Sequence, residues 1–148
     1  MKLSTKGRYG VKAMVDLAIN YGDEPVSIKS ISERQNISEY YLEQLFATLR
    51  KAGIIKSIRG AQGGYVLNRD PSEITIHEVI ELLEGPIEIS NCLVEESCDN
   101  IEACPTRLLW KKIKESIEEV THSITLQDMV NDYKDMKKIT IDTTQLKR

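Results

Sequence analysis

No apolar run in the sequence approaches the roughly 20 residues needed to span a bilayer, so no membrane helix is predicted. The opening Met1-Lys2-Leu3-Ser4-Thr5-Lys6 lacks the apolar stretch of a secretion signal, and the expected location is cytoplasmic. Cysteine is scarce and odd in number, with three residues at 92, 98 and 104, which argues against a disulfide framework. Internal repeats and low-complexity tracts are absent. So is a strong excess of one charge: 20 Lys/Arg against 23 Asp/Glu give −3, which excludes a uniformly basic nucleic-acid coat. Neither histidine, His77 or His122, is tied to a thiol by a recognisable pattern, so no catalytic residue is assigned and no enzyme is expected.

What is present is globular. The 148 residues are 41% hydrophobic and 29% charged, enough to bury a core without cross-links. Charge is unevenly spread. Residues 1–80 carry 11 Lys/Arg and 9 Asp/Glu, or +2, and residues 81–148 carry 9 and 14, or −5. Only the front half is suited to a polyanion.

Ser4 caps a predicted helix over about 5–21, with Val11, Met14, Val15 and Ala18 at helical spacing. Gly22 to Pro25 breaks it. Ser27 opens a short helix over 28–35, Asn36 suits a left-handed turn, and Ser38 caps the next helix, which closes at Gly53. In that helix Leu42, Leu45, Phe46 and Leu49 form an apolar stripe. The period then changes: Ile54–Arg59 and Tyr65–Leu67 flank Gly60-Ala61-Gln62-Gly63-Gly64 and predict a β-hairpin. A short helix follows through Ile76, Val79, Ile80 and Leu83 to Gly85-Pro86. Residues 86–104 show no period. Pro105 starts a long helix to about 121 with Leu109, Ile113, Ile117 and Val120 along one face, and Thr125 to Asp128 forms a capping box for a last short helix.

The expected fold is therefore mainly α with a small β-hairpin wing (α+β): a winged helix-turn-helix plus a long dimerisation helix. Its expected parts are a DNA-binding domain over 1–85, a cysteine-bearing loop over 86–104, a dimerisation helix and C-terminal helix over 105–137, and a flexible tail over 138–148.

A helix fits the major groove of duplex DNA and offers its first turns to base edges. In the helix after Ser38 the apolar stripe faces inward, which leaves Ser38, Tyr40, Tyr41, Glu43 and Gln44 for the groove. Gln can read adenine, and Glu can accept from cytosine N4 while phosphates repel it, so Glu43 is expected to select the base. In the wing, Arg59 suits minor-groove insertion, and Gly60, Gly63 and Gly64 permit close approach to the backbone. Lys2, Ser4, Lys6 and Arg8 form a second polar and basic cluster suited to phosphates.

Three thiols at Cys92-x5-Cys98-x5-Cys104 lie on one polar loop. Soft thiolates suit an iron–sulfur cluster or zinc; the wide spacing favours the larger group, and three incidental thiols are the plain alternative. A cluster normally takes four protein ligands, so a fourth falls to His, Asp, Glu, another side chain or a partner chain.

The segments Leu3–Gly10 (LSTKGRYG), Tyr41–Leu45 (YLEQL) and Ile58–Tyr65 (IRGAQGGY), with the three-cysteine spacing, resemble the BadM/IscR-type winged-helix transcriptional regulators, iron–sulfur branch, over roughly residues 1–135. The resemblance implies a homodimeric repressor of a double-stranded DNA operator. Its recognition of DNA would depend on an iron–sulfur cluster, 2Fe–2S foremost and 4Fe–4S as the variant, with cluster-assembly genes as targets. The usual ligand set adds a His three residues after the last Cys; here that position is Arg107. Two related designs stand beside this one. The first is a nitric-oxide- or redox-sensing 4Fe–4S regulator, and the second is a cluster-free cysteine-metabolism repressor that acts with a partner protein.

Overall fold

The computed structural model describes residues 3–94 and 101–146, apart from the side chains of residues 101 and 142–146. Among the described residues the fold has six α-helices and one hairpin, besides short 3-10 turns: α1 (Thr5–Ile19), α2 (Ile28–Gln35), α3 (Glu39–Lys51), β1 (Ile55–Ile58), β2 (Gly64–Leu67), α4 (Ile76–Glu84), α5 (Pro105–Ser123) and α6 (Leu126–Leu146). The predicted class is the observed one.

The first four helices start by the same device. The hydroxyls of Ser4, Ser27, Ser38 and Thr75 accept from the amides of Gly7, Ser30, Tyr41 and Glu78. Each bond satisfies one of the amides that a helix start leaves open. Asn36 ends α2 in the left-handed region (φ 54°, ψ 49°), and Ile37 then enters the core. The turn between α2 and α3 is thereby fixed by three adjacent residues. The hairpin is antiparallel, with Ile55 opposite Leu67 and Ile58 opposite Gly64. Val26 adds a bridge to it through two bonds with Tyr65, of 2.9 and 2.8 Å.

One core joins these elements. Met14, Ile31, Leu42, Phe46, Leu49, Ile55, Ile74 and Val79 are almost wholly buried in it. Gly7 and Gly10 let α1 lie close on α4; a Cβ on Gly10 would sit 1.9 Å from Leu83 Cδ1. An ion pair with a buried carboxylate and an exposed guanidinium pins α2 to α1. Asp16, 3% exposed, accepts from Arg34 Nε at 3.0 Å and Nη2 at 2.7 Å, and from Gln35 Nε2 at 3.1 Å.

Two features of the C-terminal half differ from expectation. The residues expected to form a separate unit with α5 partly belong to the core: Leu126 and Val130 of α6 are buried there, and backbone bonds join Ile76 to Ile124 and Leu126 to Ile74. The last helix is longer than the short one expected, because α6 runs on to Leu146; residues 147 and 148 of the expected tail lie outside the described residues. Low apolar content suggested a loose end, but no Gly or Pro follows Pro105 to stop a helix. The capping box is formed as expected: Thr125 N donates to Asp128 Oδ2 at 2.9 Å, and Asp128 N to Thr125 Oγ1 at 3.2 Å.

Candidate nucleic-acid interface and thiol centre

The stripe of α3 turned away from the core carries the expected recognition residues. Tyr40 is 72% exposed, and Glu43 and Gln44 are exposed beside it. Ala47 and Lys51 continue the same stripe at helical spacing, one turn and two turns beyond Glu43 and Gln44, where the sequence reading had stopped. Ser38 is spent on the cap, bonded to the Tyr41 amide at 3.2 Å. Tyr41 is only half-exposed. Its ring packs on the core and meets Tyr9 edge to face, with centroids 5.9 Å apart. That contact brings α1 to the start of α3. Arg8 and Lys12 flank the Tyr9 ring at 5.8 and 5.7 Å, so a basic edge of α1 adjoins the exposed face of α3. Sequence reasoning missed Lys12, although it stands one turn after Arg8.

Ser4 has an internal role. Its amide donates to Glu84 Oε1 at 2.8 Å, its hydroxyl bonds to the same oxygen, and the Gly7 amide donates there at 3.1 Å. A carboxylate at the positive end of α1 is favoured by the helix dipole. In the wing, Arg59 and Gly60 are exposed. Gly63 and Gly64 have a structural reason of their own: a Cβ would lie 2.1 Å from Ile58 O on Gly63 and 2.4 Å from Val26 O on Gly64. The hairpin could not close on itself, or on Val26, with larger residues there. Lys6 is exposed. Lys2 and Cys98 lie outside the described residues.

The other two thiols come from opposite ends of the loop to the amino end of α5. The loop is not wholly irregular, since short 3-10 turns form at Asn91–Leu93 and Ile101–Ala103. Cys92 and Cys104 are both half-buried free thiols. Ser90 Oγ is 3.1 Å from Cys92 Sγ, and Thr106 Oγ1 is 3.0 Å from Cys104 Sγ. Arg107 touches both ends of the loop. Its Nε donates to Cys92 O at 3.4 Å, and its backbone amide and its charge face Cys104. The Thr106 hydroxyl, followed by the Arg107 amide, pushes the Cys104 thiol below its ordinary value. A lowered value favours the thiolate, the form that binds a soft metal centre. The donor chemistry therefore fits a thiolate-held group. Among the described residues no three His, Cys, Asp or Glu side chains gather at metal-binding spacing.

The histidines serve elsewhere. His77 bonds to Glu81 Oε2 at 2.8 Å and Thr121 Oγ1 at 3.1 Å, and its ring stacks on His122 with centroids 3.7 Å apart. This contact ties α4 to the far end of α5, about 25 Å along the helix from Cys104 at 1.5 Å per residue.

A capped helix-turn-helix with a bare second helix, a glycine-rich hairpin and a basic edge defines a winged-helix DNA-binding regulator. The chain belongs to the Rrf2 family: that family's model, described as an iron-dependent transcriptional regulator, matches residues 3–132. The regulator CymR of Bacillus subtilis is 47% identical over 131 residues, 88% of this chain and 91% of CymR. The regulator IscR of Yersinia enterocolitica is 44% identical over 131 residues, 88% of this chain and 80% of IscR. The solved structure of T. potens IscR is 52% identical with a TM-score of 0.75, covering 90% of this chain and 88% of that one. These relatives are transcriptional regulators rather than enzymes. Among the described residues no helix is long and apolar enough to cross a membrane.

Proposed function

We propose that the chain is a repressor that binds operator DNA as a homodimer, with an affinity set by an iron–sulfur cluster held by Cys92, Cys98 and Cys104. Genes of cluster assembly are the proposed targets, and 2Fe–2S is the proposed form. One observation carries the reading: Cys92 and Cys104 both come to Arg107 in the first turn of α5. Similarity to the IscR proteins supports it.

The chain's own residues divide the work. Tyr40, Glu43 and Gln44 on α3 read base edges, with Glu43 accepting from cytosine and penalising other bases. Ser38 holds the first turn of that helix in shape. Arg59 and Gly60 approach the minor groove from the wing. Arg8 and Lys12 meet phosphates beside the Tyr9–Tyr41 contact. α5 pairs the two copies. It has no buried residue, and Leu108, Leu109 and Val120 are 54%, 48% and 56% exposed. A stripe of that kind on a 19-residue helix suits a second copy of itself. Half-sites one DNA turn apart need recognition helices roughly 34–36 Å apart, so a small shift at α5 changes affinity. When bound, a cluster supplies a redox-active charge whose loss frees the thiolates. The hydroxyls of Ser90 and Thr106 stand beside the sulfurs of Cys92 and Cys104 and would tune that charge.

A second reading has its own support in the similarity to CymR: a cluster-free repressor of cysteine metabolism acting with a partner protein. Iron and sulfide analysis of anaerobically isolated protein separates the two. The cluster reading expects a brown protein with iron, sulfide and visible absorption, all reduced in Cys92→Ala. A colourless, iron-free preparation that binds duplex DNA tightly overturns it in favour of the second.

A further inference from the structure

We propose that Arg107 is a positioning residue that latches the Cys92 end of the thiol loop to α5, so that the state of the thiol site reaches the dimer helix through this side chain as well as through the direct junction at Cys104. The inference rests on the proposed cluster function only in what fills the site; the latch itself is a contact between this chain's own residues. Arg107 stands in the first turn of α5 and is half-buried, although no carboxylate pairs with it among the described residues. Its Nε donates instead to the Cys92 carbonyl, across the loop. The same residue lines two clefts, one of about 420 Å³ beside Cys104 and one of about 200 Å³ beside Leu93. With Lys111, which also lines both, it forms the wall between the two ends of the loop. Its guanidinium, with no carboxylate paired to it among the described residues, stands beside Cys104 as well, and that is the arrangement a group gaining or losing negative charge at the thiols would move. Leu108 and Leu109, the next two residues, are exposed on the helix proposed to pair the copies. A displacement of Arg107 is thus a displacement of that helix's first turn. Lysine would keep the charge and one donor without the planar fork, so it should restore only part of the coupling.

The test compares wild type, Arg107→Ala and Arg107→Lys as full chains, loaded and stripped of iron. Two readouts matter: amide exchange at Leu93 and Val94, whose amides bond to Ser90 O and Asn91 O, and the loaded-to-stripped ratio of affinities for a duplex selected in vitro by the wild-type protein. One bond of 3.4 Å is worth about fivefold, the ordinary contribution of a single intramolecular hydrogen bond. Arg107→Ala should therefore speed exchange at both amides in the stripped chain by about fivefold and bring the affinity ratio about fivefold closer to one. Arg107→Lys should fall between it and wild type. Unchanged exchange in stripped Arg107→Ala overturns the latch, whatever its iron content. Faster exchange with an unchanged ratio overturns the transmission to α5. Failure of the wild-type protein to take up iron and sulfide defeats the cluster reading instead, and leaves the exchange measurement to decide the latch.

Discussion

Removing the Asp16 carboxylate should loosen the reading head from the rest of the fold. Asp16 is 3% exposed and accepts three bonds, two from Arg34 and one from Gln35. These are the polar contacts that pin α2 to α1, and α2 sets the angle at which α3 is presented. Breaking a fully buried pair costs about 3–5 kcal/mol, mainly because the surviving charge is stranded. Here the survivor is not stranded. The Arg34 side chain is 47% exposed, so water can take over its donors. The cost of Asp16→Ala is then about 2–3 kcal/mol, nearer that of losing two charge-assisted bonds. For a chain of this length that lowers the melting temperature by about 5–10 °C. Thermal melts of Asp16→Ala, Arg34→Ala and the double variant measure it, and the cycle should return a coupling of at least about 1 kcal/mol. A coupling near zero, or an Asp16→Ala melt within 1–2 °C of wild type by the same scale, would refute the reasoning and leave the packing of Ile28 and Ile31 as all that holds α2.

Three further outcomes follow from particular contacts. Gly10→Ala should destabilise the fold by about 1–3 kcal/mol, because its Cβ would collide with buried Leu83; denaturant titration measures it. In stripped protein with Cys92 and Cys98 replaced by Ser, Cys104 should alkylate with a midpoint below the ordinary thiol value of about 8.5. The Thr106 hydroxyl bond stabilises the thiolate, and Thr106→Val should move the midpoint upward. Glu43→Ala should relax selectivity at one base pair by about 1–3 kcal/mol, read by competition among operator variants; an unchanged base preference would remove Glu43 from the reading surface.

The helix-turn-helix was legible because its signals are local. Ser27, Asn36 and Ser38 are caps that act within four residues of themselves, and the stripe of Leu42, Leu45, Phe46 and Leu49 has a period. The hairpin was legible from its glycines, and the start of α5 from Pro105. What escaped reading is pairwise and distant. Glu84 meets Ser4 across 80 residues, Asp16 meets Arg34 and Gln35 across two elements, and Arg107 reaches back to Cys92. Such contacts leave no period in a sequence, since one polar residue on a helix looks like any other until its neighbour is known. The same limit explains α6. Its first turn belongs to the core through Leu126 and Val130, and its length follows from the absence of a breaker, not from an apolar pattern.

The central claim is that the occupancy of the thiol site governs how the paired reading heads sit on DNA. Its most direct test is a pair of footprints, iron-loaded and stripped, on the same promoter fragments at one salt concentration. The account predicts that at least one site is protected at different protein concentrations in the two states. The same protection at the same concentrations on every fragment would contradict it.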